Sequence, residues 1–149
     1  MKGFSTIVPA MLLALAPLTA VADDDAPKPE ATILVQSTET WDGVELTYPE
    51  GQPEITVARI KIPAGYTLPM HCHPMPLAGV VVSGKLKVAT KVGEANTFEE
   101  GDGVIEVMNT WHQGTAIEDT DLVVVYAGAL GLPTSLSEDG DPALTQYCK

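Results

Sequence analysis

The stretch "IPAGYTLPMHCHPMPLAGVVVSG", Ile62–Gly84, decides how this chain is read. It carries His71 and His73 on either side of Cys72, together with Met70, Met75, four prolines and three glycines. On a β-strand, residues i and i+2 project to the same side. His71 and His73 therefore form a pair of imidazoles one pleat apart, able to share one metal ion at about 2.1 Å per bond. The same parity sends Cys72 to the opposite face, with Met70 and Pro74. That removes a soft thiolate from the ligand set wherever the strand is regular, and Pro69 and Pro74 are the two places where it can be distorted.

Working outward, the flanking sequence is punctuated like β-structure. "ATILVQST" (31–38) reads as a first strand, and "WDGV" (41–44) holds an Asp-Gly turn signal. In "ITVARIKIP" (55–63), Ile55, Val57, Arg59 and Lys61 alternate with Thr56, Ala58, Ile60 and Ile62, a sheet with one face more buried than the other. "TLPMHCH", "LAGVVVSG", "KLKVATKVG", "NTFEEGDG", "VIEVMNTWH" and "TDLVVVYAG" follow, short and Val-rich, separated by turn residues at near-regular spacing. No segment holds a helical period over a dozen residues. Regularly spaced short strands predict an all-β sandwich or barrel. The remainder, "LPTSLSEDGDPALTQYCK" (132–149), reads as a polar, loosely packed tail with one helical turn near Pro142.

At the other end, residues 1–22 have the build of a secretory signal peptide: Lys2, an apolar run from Ile7 to about Val21, then Ala20-Val21-Ala22 before three aspartates. The run is short for a membrane span and contains Pro9 and Pro17. Residues 23–30, "DDDAPKPE", read as a flexible lead-in. The expected location is periplasmic or secreted, with no membrane attachment after cleavage. With 20 acidic against 8 basic residues and a formal net charge of −12, the chain repels phosphate backbones, so nucleic acid is not an expected partner. In an oxidising compartment Cys72 and Cys148 could pair as a disulfide, although nothing in their spacing sets the distance between them.

The third histidine, His112, lies in "EEGDGVIEVMNTWHQG" (99–114). Taken together, the histidine segments resemble the two motifs of the cupin family. The first, G-x5-H-x-H-x3,4-E-x6-G, is met by Gly65, His71, His73 and Gly84, with Leu77 where the glutamate belongs. The second, G-x5-P-x-G-x2-H-x3-N, is met by Gly101 and His112, with Val107, Asn109 and Ala116 replacing Pro, Gly and Asn. The likeness covers about Ile55–Gly128. It implies a double-stranded β-helix, or jelly roll, a cupin domain over 31–131, and one divalent metal ion (Fe, Mn, Zn, Ni or Cu) held by His71, His73 and His112 inside the barrel. A homodimer is a further expectation by analogy with small cupins.

Leu77 cannot coordinate, so Glu106 in the apolar "VIEVM" takes on interest. Strand parity groups it with Val104 and Met108 against Ile105 and Val107, and leaves open which set faces inward. An inward Glu106 would be a metal ligand or a general base beside the metal, and a buried carboxylate needs a partner. Trp41, Met108, Trp111 and Tyr126 are candidate pocket-lining residues. The expected function is a metal-dependent enzyme acting on a small organic molecule, with dioxygenase chemistry ahead of isomerase or lyase chemistry. The alternative is a non-enzymatic periplasmic module that binds a small ligand or a metal.

Overall fold

A computed structural model describes residues 27–149, and the expected signal peptide lies outside the described residues. Nine strands and one short helix follow in order: β1 (Pro53–Ile62), β2 (His71–Cys72), β3 (Leu77–Ser83), β4 (Lys85–Thr90), β5 (Ala95–Glu99), β6 (Gly103–Ile105), β7 (His112–Ala116), β8 (Thr120–Ala129), β9 (Leu136–Ser137) and α1 (Pro142–Thr145). They form a four-stranded sheet, β1-β8-β3-β6, and a five-stranded sheet, β5-β4-β7-β2-β9, antiparallel throughout. The chain from Thr32 to Lys149 is one compact unit.

The period-2 pattern sets which faces meet. In β1 the Thr56, Ala58, Ile60, Ile62 set turns inward and Ile55, Val57, Arg59, Lys61 outward, as the alternation predicts. β8 turns Leu122, Val124 and Tyr126 in, and β4 turns in Leu86 and Val88. These side chains join Met75, Leu77, Val81, Phe98 and Val104 in one core between the sheets.

Gly84 is the corner where the chain leaves β3 in one sheet and starts β4 in the other. It has φ +86°, and a Cβ there would stand 2.1 Å from the Asp119 carbonyl oxygen. Both the backbone conformation and the space therefore demand glycine. Gly84→Ala is expected to cost more than about 3 kcal/mol, read as a large drop in the urea midpoint or as failure to fold.

Three expectations need correction. Residues 31–38 form no strand, and Ile33 and Leu34 are exposed. Leu34 and Val35 instead cross tightly over Gly103, where a Cβ would meet Leu34 at 2.8 Å, and the three-residue β6 offers no length for a ladder. "VIEVMNTWH" is not one strand either: β6 ends at Ile105 and β7 begins at His112. Parity therefore fails across the gap, and Val107 and Met108 are both buried.

The third correction concerns residues 132–149, which are not a loose tail. They contribute β9 to the larger sheet, an Asp141-capped helix α1 and a disulfide from Cys148 to Cys72. The domain thus extends past Gly131 to Lys149. Polar composition misled here, because this segment is held by backbone pairing and a covalent bond more than by apolar burial.

Candidate metal centre

The site is built on the middle of the five-stranded sheet. Pro69 and Pro74, which lack backbone donors, restrict regular pairing in "TLPMHCH" to the two residues of β2. β2 lies between β7 and β9, and its first residue, His71, is directly opposite His112. His73 follows the strand by one residue. The three rings form a triangle with centroids 4.4 Å (His71–His112), 5.0 Å (His71–His73) and 5.1 Å (His73–His112) apart. One nitrogen from each lies within 4.8 Å of the other two, and among the described residues no other His, Cys, Asp or Glu joins the group.

Hydrogen bonding fixes which nitrogens converge. The Nδ1 of His71 meets the Pro69 carbonyl at 2.7 Å, that of His73 the Thr134 carbonyl at 2.6 Å, and that of His112 the Thr110 carbonyl at 2.8 Å. A carbonyl only accepts, so each Nδ1 is the donor and each Nε2 keeps its lone pair. The Nε2 of His112 is buried with no partner among the described residues. A buried acceptor left unpaired costs about 1–3 kcal/mol.

Burial also lowers the proton affinity of all three rings. Desolvation takes His73 down to about 4, and takes His112 to about 3 with the neighbouring His71 and His73 adding. For His71 the lowering by burial is partly offset by the Pro69 carbonyl. Three neutral imidazoles with anchored tautomers and converging lone pairs are the donor set that a borderline transition metal takes. The residues present fit such an ion.

Two of the motif departures, Asn109 and Leu77, have physical explanations. Asn109, in place of the second-motif glycine, is the only non-glycine among the described residues with positive φ (55°). Asparagine tolerates that region better than most residues. Its N–H donates to the His73 carbonyl at 2.9 Å, which ties the two histidine segments together. Leu77 is a core residue, 4% exposed. Its carbonyl accepts the Glu106 N–H at 3.0 Å, so Glu106 stands beside the place where the motif carboxylate would arise.

Glu106 lines the same pocket as the histidines but is not one of the converging donors. Its partner is not the metal group: Oε1 accepts from the Trp41 indole N–H and the Val107 amide, each at 3.3 Å. Burial pushes its carboxyl up to about 7, with those two donors pulling the other way.

The pocket encloses about 400 Å³, and its walls are mainly aliphatic, including Ile60, Leu68, Leu86 and Val124. Tyr126 lines it, with its ring 5.5 Å from that of His73. Three other expected lining residues do not reach it. Trp41 packs edge-on against Phe98 and donates its indole N–H to Glu106, Met108 is buried in the core, and Trp111 lies outside the lining. Met70, assigned by parity to the far face, lines the pocket because regular strand begins only at His71. Cys72 is fully buried and disulfide-bonded.

Sequence reading missed the backbone carbonyls of Pro69, Thr110 and Thr134, and the lining residues Ser135, Leu136 and Ser137. A carbonyl has no residue-type signature, and Thr134 lies 61 positions from the histidine it holds.

Two antiparallel sheets folded around an inward-facing histidine triad define a double-stranded β-helix with a candidate metal centre. The family model described as "Cupin domain" matches residues 58–128 of this chain. No curated protein matches the sequence. Among solved structures it is similar to a DMSP lyase from Ruegeria pomeroyi, with 16% identity, TM-score 0.48, and coverage of 58% of this chain and 45% of that one. It is also similar to an RmlC-like cupin from Methanocaldococcus jannaschii (17%, 0.46, 68% and 87%). A third is a variant salicylate 1,2-dioxygenase from Pseudoaminobacter salicylatoxidans (18%, 0.44, 48% and 20%). The match thus spans under half of the lyase chain and a fifth of the dioxygenase chain, and the likeness is one of fold.

Proposed function

We propose that this is an exported cupin enzyme in which the Nε2 atoms of His71, His73 and His112 hold one divalent transition metal (Fe, Mn, Zn, Ni or Cu). The observation that carries this reading is the set of three Nδ1–carbonyl anchors, which leave three lone pairs converging and one of them buried without a partner. The metal would supply Lewis-acid polarisation of a bound oxygen-bearing molecule, or oxygen activation.

The protein's own groups supply the rest. Glu106, a carboxyl lining the same pocket as the three histidines, is placed to take a proton from a bound molecule and return it. Trp41 holds its Oε1 in place. The aliphatic walls exclude water and, with no Lys or Arg among the lining residues, favour a small, largely apolar molecule with a single oxygen-bearing head. A pocket carboxyl that stands apart from the three converging donors supports an enzyme over a passive binding module. Dioxygenase chemistry is the first choice, with isomerase or lyase chemistry second.

The Cys72–Cys148 disulfide and the acidic composition support an extracytoplasmic location. The outward face of β1, with Ile55 62% and Val57 65% exposed, supports pairing of two copies through that sheet.

The test is reconstitution of tag-free protein with each metal, followed by oxygen uptake and product analysis over small phenols, thiols and acids. Oxygen consumed in step with substrate supports the dioxygenase. Conversion without oxygen moves the assignment to isomerase or lyase. Ligand binding with no conversion leaves the binding module. Less than about a tenth of an equivalent of every metal would overturn the metal centre.

A further inference from the structure

The C-terminal segment meets the ligand segments at several points. β9 pairs with β2, placing Ser137 opposite His71 and Leu136 opposite Cys72. The Thr134 carbonyl holds the Nδ1 proton of His73. At the far end, Lys149 donates its N–H to the Asn109 carbonyl at 2.8 Å and accepts from the Trp111 N–H at 3.0 Å. Between those two residues lies Thr110, whose carbonyl anchors His112. Each imidazole is thus steadied, directly or through one loop, by residues 132–149.

Apart from these backbone hydrogen bonds and the disulfide, little holds that segment down. α1 has four residues, none buried, and the Lys91–Glu138 ion pair is exposed. Surface pairs of this kind contribute little. Leu136 is its one buried large hydrophobic residue. The disulfide bond runs from Cys148, next to Lys149, to Cys72, the residue between His71 and His73. Parity on β2 sends the Cys72 sulfur away from the rings, so the bond braces the ligand segment from behind.

We propose that the disulfide-closed C-terminal strap, residues 132–149, positions the three imidazoles, and that the Cys72–Cys148 bond thereby sets the affinity of the site for its metal. The affinity half rests on the metal centre proposed above; the positioning half does not. Partners that orient metal-ligating histidines typically change metal affinity by 10–100-fold when lost. Without the disulfide, β2 retains its single registered pair with β7, and His73 loses its carbonyl whenever the strap lifts.

The test uses full-length protein, wild type against Cys148→Ala, with Cys72→Ala/Cys148→Ala to show that the freed Cys72 thiol is not responsible. Zn²⁺ affinity is measured by competition with a chromophoric chelator. The tautomers of the three histidines are read in metal-free protein by ¹⁵N-imidazole NMR. Wild type is expected to show the Nδ1–H form at His73. The variants are expected to show mixed tautomers there and roughly 10–100-fold weaker Zn²⁺ binding, with the circular dichroism of the folded protein retained.

Val81→Ala, a core change in β3 away from the pocket lining, controls for stability loss alone and is expected to leave both readouts unchanged. If Cys148→Ala does not fold, deletion of Lys149 keeps the disulfide and removes the two hydrogen bonds to the His112 loop. It is then expected to weaken Zn²⁺ binding by a factor on the order of ten. Affinity within twofold of wild type, together with an unchanged His73 tautomer, would overturn the proposal. Wild type that binds no Zn²⁺ but shows strap-dependent tautomers would overturn the metal centre and leave the positioning role standing.

Discussion

His112→Leu is expected to stabilise the metal-free protein while abolishing its response to metal. The side chain is 1% exposed, and its Nε2 has no hydrogen-bond partner. Leucine removes that unpaired buried acceptor, which costs about 1–3 kcal/mol. It also removes the bond to the Thr110 carbonyl, which returns about 1 kcal/mol of the gain. The net expectation is a gain of about 1 kcal/mol, or a few degrees in Tm for a domain of this size.

With metal the order reverses. Wild type gains about 2.7 kcal/mol at a metal concentration one hundred times its Kd, and the variant gains nothing. Paired thermal melts with and without Zn²⁺ or Fe²⁺ read both effects. A variant that is less stable without metal and still shifts with it would return His112 to an ordinary core role.

The second large effect expected is at Glu106. Its folded pKa of about 7 stands above the ordinary value of 4.5, because burial disfavours the charged form. A carboxyl with a raised folded pKa holds its proton more tightly when folded. Its contribution is therefore fully present below pH 4.5 and is lost as pH rises through 7. Glu106→Gln keeps the shape without the ionisation. It is expected to exceed wild type in stability at pH 8 by on the order of 2–3 kcal/mol, with the gap closing as pH falls toward 4.5.

The histidines act in the opposite direction. Their folded pKa values are lowered, so their contribution is present above 6.5 and is lost as pH falls toward 4. They are common to both proteins and cancel in the difference. Urea titrations of the two proteins from pH 4.5 to 8.5 measure it, and a pH-independent gap would mean that Glu106 is solvated and ionised throughout. The same substitution is expected to lower turnover where Glu106 moves a proton, with metal content unchanged because it is not among the converging donors.

Some of this was open to sequence reading because it is local. The alternation in β1 directly separates a buried set from an exposed one, since side-chain direction on a strand follows from the pleat alone. The i, i+2 spacing of His71 and His73 and the glycines at 65, 84 and 101, all with positive φ, are likewise properties of short segments. Parity could not be carried through "VIEVMNTWH", where the strand breaks at Glu106, nor back to Met70, where it has not begun. Nor did apolar, β-prone composition make a strand of 31–38, which had no long neighbour to pair with.

Residue types and their spacing were therefore enough to establish a cupin jelly roll, three candidate ligands and the absence of a carboxylate at position 77. The folded chain alone settled which nitrogen each histidine presents, where Glu106 finds its partners, and that residues 134–137 reach the histidine pocket. Those features depend on backbone carbonyls, on a disulfide across 76 positions and on strand pairing between distant segments. None of them has a local periodicity, because a hydrogen bond or a covalent bridge is specified by where two pieces of chain meet in space.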